Sequence, residues 1–378
     1  MGERWDVVIV GAGPAGCAAA ARLLQSEPTC RVLLVDRSDF PRDKVCGDGI
    51  AAQAVDALAA LGLDPAEITA GFPRCPRIRL RSPGGSTVER TVAEPGFVIP
   101  RTVFDARLLA AAQARGAVFR RSQVRTLHRT TDGVVLDGEL TAGVVIGADG
   151  AESAVRRLAG VPANPVGTVA LAVRGYAAAP AGQHDAQLLT MTDHRWPAYA
   201  WSFPIGDGRV NVGYGEVLTK EPVSRAELES RMHDLLPGVR PSDVRGHRLP
   251  LFTGRPDVPA GRVLLVGDAQ SLINPLSGEG IFYAIASGAA AADAAPAGAG
   301  AGELYRRLLA ARLGRHLRHT SLLARLTRRP WPIDAGVRAA LRSQGVFDDL
   351  VDVALADGRI TGRLVRGLIR AAAQTGSG

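Results

Sequence analysis

The sequence predicts an α/β fold in which a discontinuous Rossmann-like domain carries an inserted, β-rich substrate domain and is followed by a helical C-terminal region. Apolar runs typical of buried parallel strands occur near residues 5–10, 144–147 and 263–266, and each run leads into a glycine. Alternating patterns broken by Pro and Gly, typical of antiparallel strands, separate them in 72–98 and 166–250. The predicted boundaries are 1–70, 100–160 and 250–300 for the Rossmann-like domain, 71–99 and 161–249 for the β-rich domain, and 301–378 for the helical region.

The N-terminal segment has the pattern of a dinucleotide-binding unit. A buried strand over 5–10 is followed by Gly11, Gly13 and Gly16, by a helix from about Ala15, and by a second strand ending at Asp36. The glycine spacing alone is weak, but this strand, helix and acid are the context that the motif requires. Gly11 permits a tight turn, Gly13 a close approach to a pyrophosphate, and Gly16 close helix–strand packing. The helix N-terminus attracts phosphate, and Asp36 accepts hydrogen bonds from a ribose.

The remaining elements are read from periodicity. Residues 101–115 form an amphipathic helix with Phe104 and Leu108 on its apolar side, and 134–136 form a further strand. Residues 289–302 are almost entirely Ala, Gly, Pro and Asp, which fits either a weak helix extension or a linker. The rest of the chain to Arg370 looks helical.

Composition indicates an ordinary globular protein of 378 residues, with 46% hydrophobic and 22% charged residues. No apolar run is long enough for a transmembrane helix, and a strand pattern begins by Trp5, so we expect a cytoplasmic protein without a signal peptide. The net charge of +8 comes mainly from dispersed arginines without a nucleic-acid motif, so we expect no nucleic-acid partner. The oligomeric state cannot be read from the sequence.

The four cysteines, Cys17, Cys30, Cys46 and Cys75, have no CxxC spacing and no clustered histidines. We therefore predict no metal site and four reduced thiols.

Two later segments distinguish between dinucleotide cofactors. Gly147-Ala-Asp149-Gly150 and the run from Gly267-Asp268 through Asn274-Pro275 to Gly278-Glu-Gly280 resemble the second and third motifs of the flavoprotein hydroxylase superfamily. The resemblance implies FAD, with Asp268 at its ribityl chain, the 275–280 loop and the following helix N-terminus beside the isoalloxazine, and Arg101 in contact with the cofactor. The predicted cofactor-binding residues are Gly11, Gly13, Ala15, Gly16, Asp36, Arg37, Lys44, Gly47, Arg101, Val124, Asp149, Asp268, Pro275, Gly278, Gly280 and Ile281.

The segment Lys44-Val-Cys46-Gly47-Asp-Gly49 combines a thiol with one of only two lysines. A nearby cation lowers the pKa of a thiol, so Lys44 is predicted to favour the thiolate of Cys46. The alternative is a structural cysteine in a glycine-rich turn.

A predicted hairpin carries three alternating aromatic residues, Tyr199, Trp201 and Phe203, close to Trp196. With Asp207-Gly208 as a two-residue turn, Trp201 lies opposite Tyr214, while Ser202 and Ala200 lie opposite Gly213 and Gly215. One face of the hairpin is then aromatic and the other nearly bare. A bare face marks the close approach of a ligand or another segment, although aromatic residues are also common in ordinary sheet cores.

Lys44-x-Cys46-Gly47 with Tyr199-x-Trp201-x-Phe203-Pro204 and Gly213-x-Gly215 resembles the geranylgeranyl reductase family, over nearly the whole chain from Asp6 to beyond Gly280. The resemblance implies an FAD-dependent enzyme that saturates C=C bonds in prenyl chains by hydride transfer from reduced flavin plus protonation. It places Cys46 near the flavin, and Tyr199, Trp201, Phe203, Gly213 and Gly215 at the substrate. Cys46 or a bound water is the predicted proton donor, and Tyr199 is the second candidate.

Two questions stay open at this level. No second strand–GxGxxG–helix unit is visible, so the electron donor is NAD(P)H bound transiently or a reduced carrier. A flavin monooxygenase or oxidase acting on an aromatic or polyketide-like metabolite shares the same FAD motifs; a halogenase and a prenyl-binding carrier are further alternatives.

The helix predicted over 303–329 carries eight arginines among leucines. It either lies on an anionic membrane surface as a peripheral contact or packs on its own domain with a solvated basic face.

Overall fold

A computed structural model describes residues 2–194, 196–254 and 259–373, and within these ranges the chain forms two β-sheets and a set of covering helices. The strands are β1 Glu3–Val10, β2 Val32–Asp36, β3 Gly49–Ile50, β4 Arg74–Arg81, β5 Thr87–Val98, β6 Val118–Arg121, β7 Leu127–Arg129, β8 Val134–Leu136, β9 Leu140–Gly147, β10 Val169–Ala178, β11 Ala186–Thr192, β12 Ala198–Pro204, β13 Arg209–Val217, β14 Ser242–Pro250 and β15 Val263–Leu265. The helices are α1 Pro14–Ser26, α2 Ala52–Ala60, α3 Pro65–Thr69, α4 Arg101–Ala114, α5 Ala154–Leu158, α6 Arg225–Leu235, α7 Ile281–Ala294, α8 Ala301–Leu326, α9 Trp331–Arg342, α10 Gln344–Leu355 and α11 Gly362–Ala373.

The first sheet is the parallel sheet that the apolar runs predicted. β1 lies between β2 and β9, β6 extends the sheet beyond β2, and β15 pairs with the second half of β9. β8 and β7 continue it as an antiparallel extension along the first half of β9. The carboxyl ends of β1, β9 and β15 meet at one edge, where ligands bind in open α/β sheets. The predicted α/β fold class is confirmed.

Small residues bring two helices close together on this sheet. The Ala-rich helix α7 packs against α1, and a Cβ added at Gly288 would lie 2.2 Å from the Ala15 carbonyl oxygen. The low-complexity stretch begins within this helix, continues as a 3₁₀ segment over Ala295–Gly300 and then enters α8. It is therefore a continuation of helical structure rather than an extended linker.

The second sheet is mostly antiparallel and has the strand order β14-β10-β13-β12-β11-β4-β5-β3. Helix α6 covers one face through Leu228 and Met232, which pack with Tyr214. The other face packs against α9 and α10, with Val92 beside Phe347 in a small apolar core. The C-terminal helices thus cover part of the same sheet face that carries Tyr199, Trp201 and Phe203.

The predicted register of the aromatic hairpin is wrong by one residue. The loop contains three residues, Gly206 to Gly208, because Ile205 N–H bonds to the Arg209 carbonyl oxygen and both glycines have positive φ. Trp201 therefore lies opposite Gly213 and Tyr199 opposite Gly215. A shift of one residue in the pairing exchanges the faces on which the β13 side chains lie, so Gly213 and Gly215 lie on the same face as the aromatic rings. The predicted bare face instead carries Ala200, Ser202, Val212 and Tyr214.

Among the residues that the structure describes, no helix is both long and apolar enough to span a membrane. No cluster of His, Cys, Asp and Glu in those ranges has the arrangement of a metal site. All four cysteines are free thiols.

Candidate active site

A single cavity of about 1650 Å³ runs from the carboxyl edge of the first sheet to the aromatic face of the second sheet and on to the C-terminal helices. All of the predicted site residues except Gly16 and Gly213 line it. Gly16 lies behind the glycine turn, and Gly213 lies beneath the ring of Trp201. The sequence motifs are thus brought together from distant parts of the chain.

The glycine turn has the geometry of a phosphate cradle. Gly11 has a φ of 106°, a backbone conformation that residues with a side chain rarely adopt. A Cβ at Gly16 would lie 1.9 Å from the Gly11 carbonyl oxygen, so only glycine fits there. A Cβ at Gly13 would meet nothing nearer than an Arg42 nitrogen at 3.4 Å, so the backbone at Gly13 borders the cavity. Helix α1 begins there without a capping side chain or an acidic residue in its first turn. Its N-terminus is available to an anion.

Asp36 ties the end of β2 to this turn. Its carboxylate accepts hydrogen bonds from the backbone N–H groups of Ala12 and Ser38, both at 2.9 Å. Arg37 is exposed at the rim of the cavity, and buried Val124 lines it nearby.

A buried ion-pair cluster lies beside the cradle. Arg101, only 2% exposed, donates two hydrogen bonds to the carboxylate of Asp105 at 2.6 and 2.7 Å. Arg42 approaches the same carboxylate at 3.2 Å and packs over the ring of Phe40. Arg42 and Asp105 were not predicted as site residues. The helical spacing of Asp105, four residues after Arg101, was a signal for it, whereas only the fold brings Arg42 to this pair.

A second ion pair joins the Cys46 segment to the third motif. Lys44 Nζ donates a 2.9 Å hydrogen bond to Asp268. Burial alone would raise the pKa of Asp268, but the charge and hydrogen bond of Lys44 lower it overall. His247, which lines the cavity, has a pKa lowered to about 4 by burial and by the charge of Lys44. It is therefore neutral at physiological pH.

Asp149 acts as a helix cap. Its carboxylate accepts hydrogen bonds from Ser153 Oγ and from the backbone N–H groups of Ala154 and Val155, at the start of α5. The second motif is thus held in shape by its own aspartate, and its backbone faces the cavity.

The predicted thiolate of Cys46 is wrong. Lys44 acts to lower the pKa of this thiol, but burial outweighs it and raises the pKa above its ordinary value of 9.0. Lys44 also directs its amine to Asp268. Cys46 is therefore a neutral thiol at physiological pH, able to donate a proton.

The rings of Tyr199, Trp201 and Phe203, here called the aromatic wall, line the cavity side by side, with centroids 6.0 and 6.4 Å apart. A Cβ at Gly47 would lie 3.3 Å from Phe203 and 3.5 Å from Trp201 Nε1. Glycine at this position therefore lets the backbone beside Cys46 lie directly against the wall. Trp201 is 6% exposed.

The loop from Pro275 to Gly280 faces the wall from the other side. The Tyr199 hydroxyl donates a hydrogen bond to the Ser277 carbonyl oxygen, and Glu279 accepts one from the Phe282 N–H at 2.9 Å. Burial raises the pKa of Glu279 to about 7. Burial, with the nearby Glu279 carboxylate, also raises the pKa of Tyr199. Glu279 was overlooked, although its position between two motif glycines was a signal.

Comparison with known proteins identifies the family. Residues 4–191 match a family model described as an FAD binding domain. A menaquinone reductase from Mycolicibacterium smegmatis is 36% identical over 323 residues, covering 78% of this chain and 76% of that protein. A digeranylgeranylglycerophospholipid reductase from Methanopyrus kandleri is 32% identical over 314 residues, covering 77% and 80% of the two chains. The chain belongs to the geranylgeranyl reductase family of FAD-dependent oxidoreductases.

Solved structures agree with this family on the fold. A geranylgeranyl bacteriochlorophyll reductase-like protein from Thermoplasma acidophilum has a TM-score of 0.75 at 23% identity, covering 98% of this chain and 96% of that one. A flavin-dependent brominase has a TM-score of 0.68 at 19% identity, covering 98% and 100%. At these identities the similarity speaks for the fold alone.

The residues present fit the FAD of this reductase family. The cradle at Gly11 and Gly13 leaves room for a pyrophosphate that a side chain would fill, and Arg42 and Arg101 supply positive charge beside it. The cavity continues from this cradle, past Asp268, to the start of α7, whose N-terminus would stabilise negative charge on a reduced flavin bound there.

Proposed function

We propose that this reductase saturates C=C bonds in the polyprenyl chain of a hydrophobic substrate, with NAD(P)H or a reduced carrier as the source of electrons. One observation supports this most strongly: the cavity that holds the FAD cradle continues past the aromatic wall into an apolar arm. The arm is lined by Leu80, Leu189, Met191, Ile333, Val337, Leu350 and Val353. Both relatives are named for substrates that carry polyprenyl chains, and such a chain suits a long apolar arm.

Bound FAD supplies the hydride, and the chain's own residues hold the alkene and supply the proton. The aromatic wall and the apolar arm exclude water and orient the double bond. The neutral thiol of Cys46 is our candidate for the proton donor. Tyr199 is less suited to that role because its hydroxyl proton is already donated to the Ser277 carbonyl. Glu279, with a pKa of about 7, is the competing donor.

The direct test is mass spectrometry of products formed without oxygen. We expect the holoenzyme, reduced with dithionite, to add two hydrogens per double bond to a polyprenyl-substituted naphthoquinone or a geranylgeranylated glycerophospholipid. Products that form only with oxygen, or that gain oxygen or halogen, would show that the fold serves the chemistry of its monooxygenase- or halogenase-like neighbours instead.

The identity of the proton donor predicts a pH profile. If Cys46 donates, kcat stays level from pH 6 to 8, because burial raises the pKa of the thiol above its ordinary value of 9.0. If Glu279 donates, kcat falls as the pH rises through about 7, because the acid form is lost. We expect the level profile.

Substitutions at Cys46 test whether its thiol is the proton donor. We expect Cys46→Ala and Cys46→Ser to reduce kcat by about 100-fold or more with FAD still bound, since general acid catalysis contributes about that much. Cys75→Ser alters another cysteine that lines the cavity and serves as the control. Full activity in both Cys46 variants would exclude the thiol as donor.

We also propose that the reductase makes peripheral contact with an anionic lipid surface through the C-terminal helices. Leu326, Trp331 and Ile369 line the cavity and are 58%, 59% and 63% exposed. Arginines accompany them, with Arg325, Arg328 and Arg329 near the first two. A cavity opening with exposed apolar side chains and positive charge suits delivery of a prenyl lipid from a membrane.

Vesicle binding tests this contact. We expect the protein to co-sediment with phosphatidylglycerol-containing vesicles, less so in high salt, and Trp331→Ser to reduce the bound fraction several-fold. Val166→Ser changes an equally exposed apolar residue that does not line the cavity. Binding that is equal for both variants, or independent of anionic lipid, would contradict the proposal.

A further inference from the structure

Four polar side chains, three of them buried and one partly buried, lie between the second sheet and the segment Asp43–Gly49, here called the Cys46 loop. They are Asp48, from the loop itself, and Arg174, Tyr176 and Asn211, from β10 and β13. Arg174, Tyr176 and Asn211 belong to none of the motifs discussed above. Asp48 and Asn211 are both 0% exposed, so their hydrogen bonds are made inside the protein.

Asn211 uses its whole side-chain amide. Its Oδ1 accepts a 2.9 Å hydrogen bond from Trp201 Nε1, and its Nδ2 donates to the Cys46 carbonyl oxygen and to Asp48 Oδ2, both at 2.8 Å. The two N–H donors and the carbonyl acceptor of the Asn211 amide thus each have a hydrogen-bond partner. One partner, Trp201, lies on β12, and the other two, Cys46 and Asp48, lie on the Cys46 loop. A strand position opposite Phe203 would otherwise favour an apolar residue.

The other members support the same loop. Arg174, 1% exposed, donates to the carbonyl oxygens of Cys46 and Lys44 at 3.2 and 3.1 Å and to Asp43 Oδ1 at 2.6 Å. Asp48 has a φ of 61° and accepts a 2.5 Å hydrogen bond from the Tyr176 hydroxyl. The Cys46 carbonyl therefore has two donors, and the backbone that carries the thiol is anchored from the sheet.

We propose that Asn211 is a positioning residue that locks the Cys46 loop to Trp201 of the aromatic wall, so that the thiol and the substrate-facing ring are held in one fixed arrangement. Removing the amide frees the loop from the wall without removing the thiol or the ring. The inference builds on the proposed role of Cys46, but the link itself is independent of whether the thiol donates a proton.

The test measures the alkylation rate of Cys46 by iodoacetamide, followed by peptide mass spectrometry, in holoenzyme variants that retain FAD. In Asn211→Leu we expect the rate at Cys46 to rise about tenfold or more, since a lost buried hydrogen bond typically changes an equilibrium by about that factor. Trp201→Phe removes the indole N–H and part of the ring but leaves the Asn211 amide bonded to Cys46 and Asp48, so it should give a smaller increase. The turnover number should fall in Asn211→Leu with KM changed less, because the ring that contacts substrate remains.

The matched control is Ser202→Ala, at the position next to Trp201 on β12. The Ser202 side chain lies on the sheet face opposite the aromatic wall, where it donates a buried 3.0 Å hydrogen bond to Gln183. Ser202→Ala removes this bond and leaves the contacts between Asn211 and the Cys46 loop intact. An alkylation rate in Asn211→Leu within twofold of the wild-type rate would overturn the proposal. An equal increase in Ser202→Ala would do so as well, because general loosening of the hairpin would then explain the result.

Two further outcomes are informative. If Asn211→Leu does not fold, Trp201→Phe decides the question: faster alkylation supports the link, and an unchanged rate refutes it. If Cys46→Ala is fully active while Asn211→Leu still accelerates alkylation, the proposed donor fails and the positioning link stands.

Discussion

Replacing Gly213 with alanine is expected to displace Trp201 and to destabilise the second sheet. The new Cβ would lie 2.2 Å from Trp201 Cζ2 and 2.4 Å from the Val173 carbonyl oxygen, so both a ring and a neighbouring strand stand in its way. Overpacking of this kind costs about 1–3 kcal/mol of unfolding free energy. Because the displaced ring is part of the aromatic wall, we also expect KM for the prenyl substrate to rise about tenfold, the equivalent of about 1.4 kcal/mol.

The chain offers a matched control two residues along the strand. A Cβ at Gly215 would meet nothing nearer than 3.5 Å, so Gly215→Ala should fold with nearly the stability of the wild type. Denaturant unfolding and steady-state kinetics of the two variants test the observed register. Equal behaviour of the two, or the larger effect in Gly215→Ala, would contradict the pairing of Trp201 with Gly213.

Replacing Arg101 with methionine is expected to destabilise the apo-protein and to weaken FAD binding severely. The variant leaves the carboxylate of Asp105, which is 0% exposed, with Arg42 as its remaining cationic partner. Breaking a buried ion pair from one side costs about 3–5 kcal/mol. The cofactor also loses one of the two cations beside its phosphate cradle.

Urea unfolding of the apo-protein and titration with FAD measure the two effects separately. Arg107→Met, on the same helix, is the control, because Arg107 donates to the carbonyl oxygens of Ile68 and Ala70 and does not line the cavity. We expect it to retain wild-type affinity for FAD. Wild-type affinity in Arg101→Met would exclude this arginine from the cofactor site.

The glycine turn was predictable because its requirements are local. Gly11 must adopt a positive φ, Gly16 must let α1 approach β1, and the chain order of strand, turn, helix and acid places Asp36 beside the turn. These constraints act within 30 residues, and each is written in the residue type itself. The family resemblance likewise rested on short motifs that the fold then placed around one cavity.

Local sequence patterns were thus sufficient for the fold class and the family, whereas the packing of the whole chain set the arrangement of the aromatic wall and the Cys46 loop. One additional glycine in the turn at 206–208 reversed which residues share a face with Trp201, and burial outweighed Lys44 in setting the protonation of Cys46. Asn211 came to link Trp201 with the Cys46 loop from 165 residues away. The register of a strand, the burial of a charge and a contact between distant segments depend on the packing of the whole chain, so a local pattern cannot specify them.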